Sequence, residues 1–297
     1  MDTHEMNTLV EIIARQVKAR LGDVTPSSSS GESCSTGPCS GEHPGSCSLP
    51  GGACGSCGFN PVNTKGEWLP PAKLPTPAEM ARFIDHTLLK ANAERSDIEE
   101  LCGEARKYQF FSVCVNSGNV RLARIFLERT NVKVCAVVGF PLGASTPGAK
   151  AFETREAIRC GADEIDMVLN IGALRSRDYA LVLDDIRKVV QAANGKVVKV
   201  ILETGMLETM DKVIACALSK VGGASFVKTS TGFGPGGATE SDIALMRSVV
   251  GPDLGVKASG GVRTYADAVK MMQAGANRLG CSSSVAVVTG GTGGSGY

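Results

Sequence analysis

The run Ser225-Phe-Val-Lys-Thr-Ser-Thr-Gly-Phe233 and the similarly built Gly255-Val-Lys-Ala-Ser-Gly-Gly-Val-Arg263 decide the fold. Each begins as a short β-rich segment, ends it on a lysine and passes into hydroxyl residues and glycine, which is how a strand gives way to a loop. Outward from these two, taken as strands 225–228 and 255–257, the same kind of run recurs at 82–87, 112–115, 133–138, 164–167, 197–202 and 278–279. Helical periodicity fills stretches between them, among them 98–108, 179–193 and 265–274. Strand and helix in alternation predict an α/β fold with parallel strands. Eight such units in about 220 residues have the size of a small (β/α)8, or TIM, barrel. A doubly wound open sheet fits the alternation almost as well. The barrel is favoured because Asp85, Asp166, Glu203, Lys228 and Lys257 fall near the C-terminal ends of different strands. A barrel gathers those ends around one axis, where its active sites lie.

The rest of the chain divides in front of and behind residues 78–290. In 1–22, Met6, Leu9, Val10, Ile13, Val17 and Leu21 recur at three- and four-residue spacings between charged residues, which predicts an amphipathic helix stopped by Gly22. Residues 23–77 are rich in Ser, Gly, Pro and Cys and poor in aliphatics, the composition of a flexible linker. Residues 291–297 form a Gly-rich tail. Across all 297 residues, 31 Lys plus Arg face 30 Asp plus Glu, a net charge of +1. That leaves no global field to attract nucleic acid or an anionic membrane. No run approaches the roughly 18 apolar residues that span a bilayer, and the first twenty residues lack the pattern of a secretory signal. A cytoplasmic protein with reduced thiols is expected, despite its 11 cysteines.

Lys228 and Lys257 fall on strands six and seven, neighbours about 4.8 Å apart in a barrel. Two facing ammonium groups disfavour protonation, as does partial desolvation, and this prepares a lysine to attack a carbonyl as the free amine. A lone lysine at a strand end more often snorkels to solvent; a pair on adjacent strands argues against that. In Ala162-Asp-Glu-Ile-Asp-Met-Val-Leu-Asn-Ile-Gly172, alternation puts Glu164 and Asp166 on one side, so that either can face the interior, to counter a lysine or move protons. Asp85, in Phe83-Ile-Asp-His-Thr-Leu-Leu89, is the same kind of candidate, and for both a plain salt bridge is the alternative. Ser259-Gly260-Gly261 after strand seven and Gly280-Cys281-Ser282-Ser283 after strand eight, with Arg263 nearby, offer backbone N–H groups and hydroxyls where barrels commonly bind phosphate. Together these residues predict an amine-catalysed reaction on a phosphorylated carbonyl compound, with no cofactor.

These runs, with Val113-Cys-Val-Asn116, Val137-Val-Gly-Phe-Pro-Leu-Gly143, Val198-Lys-Val-Ile-Leu-Glu203 and Gly236-Gly-Ala-Thr239, closely resemble deoxyribose-phosphate aldolases over residues 78–290. The resemblance implies a class I aldolase that reversibly cleaves 2-deoxy-D-ribose 5-phosphate to acetaldehyde and D-glyceraldehyde 3-phosphate. It implies Lys228 as the Schiff-base lysine, Lys257 as the second lysine that lowers its pKa, Asp166 as the proton relay and Asp85 as a supporting carboxylate. The phosphate cradle is matched by Gly260, Gly261, Ser282 and Ser283. Ser117 stands where many members have proline, and Cys281 where threonine is common. Longer members end in a tyrosine that reaches the active site; Tyr297 invites the same role, with a disordered terminus as the alternative. Family members are often dimers, so a homodimer is an expectation, although no interface can be read.

Residues 1–22 and their linker also resemble the encapsulation peptides that send enzymes into bacterial microcompartments, with shell proteins as partners. Docking on the barrel or a sister subunit, or lying on a membrane surface, are alternatives. In the linker, Cys34, Cys39, Cys47, Cys54 and Cys57 lie near His43, and Cys54-Gly-Ser-Cys57 has the spacing of a metal knuckle or redox pair. Incidental thiols in a tether and intermolecular disulfides are the competing readings. Cys114 is expected near the mouth, open to attack by aldehyde. Rival functions are an inactive barrel with a structural or shell-associated role, and a Schiff-base aldolase for another phosphorylated sugar.

Overall fold

The computed structural model describes residues 74–291. The 1–22 segment, the linker cysteines, His43 and Tyr297 lie outside them. The described chain enters through a capping box. The Thr76 hydroxyl accepts from the Glu79 N–H while the Glu79 carboxylate accepts from the Thr76 N–H at 2.8 Å, with Pro77 in the first turn of α1 (Pro77–Met80). The helical path continues as a 3-10 turn over Ala81–Phe83, so β1 is Ile84–Leu88 rather than the expected 82–87.

Seven more parallel strands follow: β2 (Ser112–Asn116), β3 (Lys133–Val138), β4 (Glu164–Val168), β5 (Val197–Ile201), β6 (Phe226–Lys228), β7 (Gly255–Ser259) and β8 (Arg278–Cys281). They pair in sequence order, and β1 closes on β8 through Ile84↔Leu279 and Asp85↔Gly280. This is a (β/α)8 TIM barrel. The open-sheet alternative is excluded by that closure. The outer ring includes α2 (Arg95–Tyr108), α3 (Val120–Phe126), α4 (Pro147–Arg159), α5 (Ile171–Arg175), α6 (Tyr179–Ala193), α7 (Thr209–Val221), α8 (Glu240–Val250), α9 (Tyr265–Ala274) and α10 (Ser284–Thr289). β7 and β8 each run two residues past their expected ends, so Ser259, Gly280 and Cys281 are strand residues, not loop residues. Ser225 falls outside β6.

Strand alternation sorts the core into two kinds of matter. One set of positions, including Val113, Val115, Val134, Ala136, Ile165, Met167, Val198, Val200, Val227 and Val256, packs in the apolar layer under the helices. The alternate set meets inside the barrel and is largely ionic, where branched aliphatics usually dominate. Phe226 occupies an interior position, and Gly255 beside it makes room: a Cβ there would sit 2.0 Å from the Phe226 ring. The Arg278 guanidinium lies 3.5 Å from the centroid of the Phe111 ring and 5.3 Å from that of Phe226. Outside the barrel, α4 and α6 are pinned by a fully buried pair, Lys150 and Asp185, with Lys150 also donating to the Val168 carbonyl at 2.8 Å.

Candidate active site

Register puts Lys228 of β6 directly beside Lys257 of β7. Both ammonium groups donate to one oxygen of Asp166, Lys228 at 2.9 Å and Lys257 at 2.8 Å. The other Asp166 oxygen accepts from Lys199 of β5 at 2.7 Å and from the Cys135 thiol of β3 at 3.1 Å. Asp85 accepts from Lys257, from Arg278 at 2.9 Å and from the Ser112 hydroxyl at 2.7 Å. Glu164 faces inward with Asp166 and meets Lys199 at 2.7 Å and Arg278 at 3.1 Å. The interior therefore brings together Lys228, Lys257, Asp166 and Asp85 as expected, and adds Lys199, Arg278, Glu164, Cys135 and Ser112. Lys199 carried a readable signal, since alternation through Val197–Ile201 makes it the centre of a buried strand.

The electrostatics differ from two lysines simply repelling each other. Burial disfavours the charged forms of Lys257 and Lys199, but the carboxylates outweigh it: Asp166 and Asp85 hold Lys257 above its ordinary pKa, and Asp166 foremost does the same for Lys199. Burial likewise opposes ionisation of Asp166 and Asp85, yet the surrounding cations keep both carboxyls well below the usual range. The expected pairwise depression fails for Lys257 because a carboxylate oxygen sits between the two ammonium groups. The asymmetry lies elsewhere. Four cations (Lys199, Lys228, Lys257, Arg278) meet three carboxylates (Asp85, Glu164, Asp166), one positive charge in excess. Lys257 contacts two carboxylates and Lys199 three, whereas Lys228 contacts Asp166. Lys228 is the lysine held by fewest counter-charges.

Lys228 also lines a pocket of about 140 Å³. Its lining also includes Gly260, Gly261, Arg263, Gly280 and Ser282, with Thr87 and Thr231. Gly260 and Gly261 take φ of 83° and 85°, a left-handed conformation that glycine allows where the backbone after β7 lines the pocket. Ser259 lines it too, but its hydroxyl donates to the Ser230 carbonyl at 2.6 Å and so ties β7 to the segment that follows β6. Ser283 is one residue further on, preceding α10, and does not line the pocket. Glu203 lies apart, after β5, with its carboxylate accepting from the Thr231 N–H and hydroxyl. Cys114 does not open to the mouth. It is fully buried against Leu89, Cys135, Val137 and Phe140. Ser117 opens a 3-10 turn, and its hydroxyl donates to Glu153 at 2.8 Å. Cys281 is buried, which pushes its thiol up to about 12.

Chemically, the site offers an amine beside a strongly held carboxylate, with a backbone-lined recess a few residues away suited to an anion. Comparison with known proteins agrees with that chemistry. Residues 80–290 match the model of the DeoC/LacD family aldolases. A deoxyribose-phosphate aldolase of Streptococcus pneumoniae is 58% identical over 212 residues, 71% of this chain and 96% of that protein. One from Macrococcus caseolyticus is 55% identical over 211 residues, covering 71% and 96%. Among solved structures, the tetrameric deoxyribose phosphate aldolase of Aeropyrum pernix superposes with a TM-score of 0.69 at 34% identity, covering 73% of this chain and 92% of that one.

Proposed function

From the premise that the chain belongs to the DeoC/LacD family of aldolases, we propose that it reversibly cleaves 2-deoxy-D-ribose 5-phosphate to acetaldehyde and D-glyceraldehyde 3-phosphate through a Schiff base on Lys228. The observation that carries this reading is the shared Asp166 oxygen, which couples Lys228, at the pocket, to a second lysine that keeps its charge. Lys228 attacks the open-chain aldehyde as the free amine. Loss of water from the carbinolamine gives an iminium, which draws electrons from the C2–C3 bond as the C3 hydroxyl is deprotonated. Glyceraldehyde 3-phosphate departs, and the remaining enamine is protonated and hydrolysed to acetaldehyde. Asp166, bonded to Lys228, is placed to relay these protons. Lys257, Lys199 and Arg278 return the interior carboxylates to the ionised form between these transfers. The phosphate is taken by the Gly260–Gly261 and Gly280–Ser282 walls with Arg263.

Borohydride reduction in the presence of deoxyribose 5-phosphate, followed by peptide mass spectrometry, tests the assignment. An adduct on Lys228 that is absent from Lys228→Ala supports it; a folded protein with no adduct overturns it. Replacing acetaldehyde by dihydroxyacetone phosphate as donor separates this aldolase from one acting on another sugar.

For residues 1–22 we propose targeting to a microcompartment, supported by their amphipathic spacing and by the volatility and reactivity of acetaldehyde. A fluorescent protein carrying residues 1–22 should enter shells assembled in cells. Diffuse fluorescence in cells with intact shells would refute the assignment.

A further inference from the structure

Cys114 and Cys135 are direct neighbours on β2 and β3, and Asp166 lies on β4 beside them. Their two Sγ atoms and a carboxylate oxygen all lie within 4.8 Å of one another. A tetrahedral cation with sulfur ligands at about 2.3 Å and an oxygen at about 2.1 Å needs ligand atoms about 3.5–3.8 Å apart, so small side-chain rotations suffice. We propose that Cys114, Cys135 and Asp166 form a site for one thiophilic divalent cation of the zinc or cadmium class, and that its occupation arrests the aldolase.

Charge is the first objection, since Lys199 lies 3.3 Å from the Cys135 sulfur and Lys228 and Lys257 are bonded to Asp166. The exchange answers it. Two S–H bonds break, two metal–sulfur bonds and one metal–oxygen bond form, and two protons leave to solvent, so a dication replaces two protons and the interior charge is unchanged. One of those protons is the one Cys135 already directs at Asp166. Two sulfurs among Leu89, Val137 and Phe140 make the site soft and dry, which selects against magnesium and calcium, cations that hold oxygen ligands and water.

The consequence for catalysis follows from where the third ligand sits. Asp166 divides its two oxygens between Lys199 with Cys135 on one side and the lysine pair on the other. A cation on the first oxygen withdraws electron density from the whole carboxylate and removes its capacity to accept a proton near Lys228. The inhibitory part rests on the aldolase reading; the binding part does not.

The test uses the full-length chain with Cys34, Cys39, Cys47, Cys54 and Cys57 replaced by serine, so that linker thiols take up no metal. Titration with cadmium(II) should fill one site per chain with an ultraviolet thiolate-to-cadmium band, aldolase activity should fall in step, and a chelator should reverse both. Cys135→Ala and, separately, Cys114→Ala should lose the band and need at least tenfold more cadmium for the same inhibition. Circular dichroism shows which variants are folded, and either one serves. Absence of the band in the folded five-serine protein, its survival in a folded single variant, or inhibition without a band would overturn the proposal. Protein that shows the band but no aldolase activity even before cadmium would instead overturn the reading of the reaction.

Discussion

Lys228 and Lys257, adjacent in register, share one oxygen of Asp166, yet only Lys257 also grips Asp85. The two should therefore fail differently. Lys228→Ala removes the nucleophile and should cost on the order of 10⁴-fold or more in kcat, with no borohydride adduct. Lys257→Met leaves the nucleophile but unbalances Asp85 and Asp166. It should lower kcat by about 10²–10⁴-fold, the range of proton-transfer assistance, while still yielding an adduct on Lys228. Equal loss of the adduct in both would contradict this division.

Lys199 should matter to folding as much as to rate. Its ammonium contacts Glu164 and Asp166 with no exposure to solvent. Lys199→Met takes one partner from each carboxylate, leaving Glu164 with Arg278 and Asp166 with Lys228 and Lys257, and should cost about 1–3 kcal/mol for the buried acceptor atoms left short of a donor. Urea unfolding monitored by circular dichroism would show it as a lower midpoint with an unchanged slope. A shift corresponding to less than about 1 kcal/mol, the worth of an exposed pair, would mean that the interior is wetter than described.

Much of this architecture was legible in the residues themselves. Alternating strands and helices point to the barrel, and Lys228, Lys257, Asp166 and Asp85 stand out as polar residues in runs otherwise fit for burial. Lys199 carries its signal in the alternation of Val197–Ile201, whereas Arg278 does not stand out, because its partners Asp85 and Glu164 come from β1 and β4 and meet it only once the barrel closes. Ser259 and Gly280 looked like loop residues because serine and glycine usually mark turns; inside a barrel, small residues instead leave room for Lys257, whose Cε lies 3.0 Å from where a Gly280 Cβ would be. The start of β1 was misplaced although Thr76 and Glu79 carry a capping-box pattern, since that box sets where a helical path begins but not where it ends.

Gly261 separates space from conformation. A Cβ there meets nothing within 4 Å, but φ is 85°. Gly261→Ala should thus strain the backbone by about 1–2 kcal/mol and displace the anion-facing wall. KM for deoxyribose 5-phosphate should rise by about tenfold or more, while kcat/KM for unphosphorylated deoxyribose stays near the parent value. Equal losses on both substrates would place the phosphate elsewhere.

The interior charges set a pH window for stability. Asp85 and Asp166 are held below their unfolded value of about 3.9, so their contribution is complete above that pH and is lost as the pH falls through their folded values. Lys199 and Lys257 are held above about 10.4; their contribution is complete below that pH and is lost as the pH rises through their folded values. The thermal midpoint should vary little from these groups between about pH 4 and 10. Below pH 4 it should fall more steeply for the parent than for Asp166→Asn, as read by calorimetry. Parallel acid limbs would contradict the paired state of Asp166.

The Lys150–Asp185 pair offers a double-mutant cycle. Burial pushes the Lys150 amine down and the Asp185 carboxyl up, each against its charge. Lys150→Met alone leaves Asp185 unpaired and should destabilise by about 3–5 kcal/mol, whereas Lys150→Met with Asp185→Leu should recover most of that loss. Because Lys150 also holds the Val168 carbonyl at the end of β4, the double variant should retain stability yet show a lower kcat than the parent. An unaltered kcat would confine the pair to packing.

Barrel closure through β1 and β8 also orders events in time. Asp85 belongs to the first strand, while Lys257 and Arg278 lie 172 and 193 positions further along the chain. During synthesis, the first strand leaves the ribosome long before the residues that will neutralise its carboxylate have been translated. No N-terminal fragment ending before β8 can hold both the closed wall and the full set of interior charges, so a nascent chain acquires its enclosure and its complete charge network together, with the last strand.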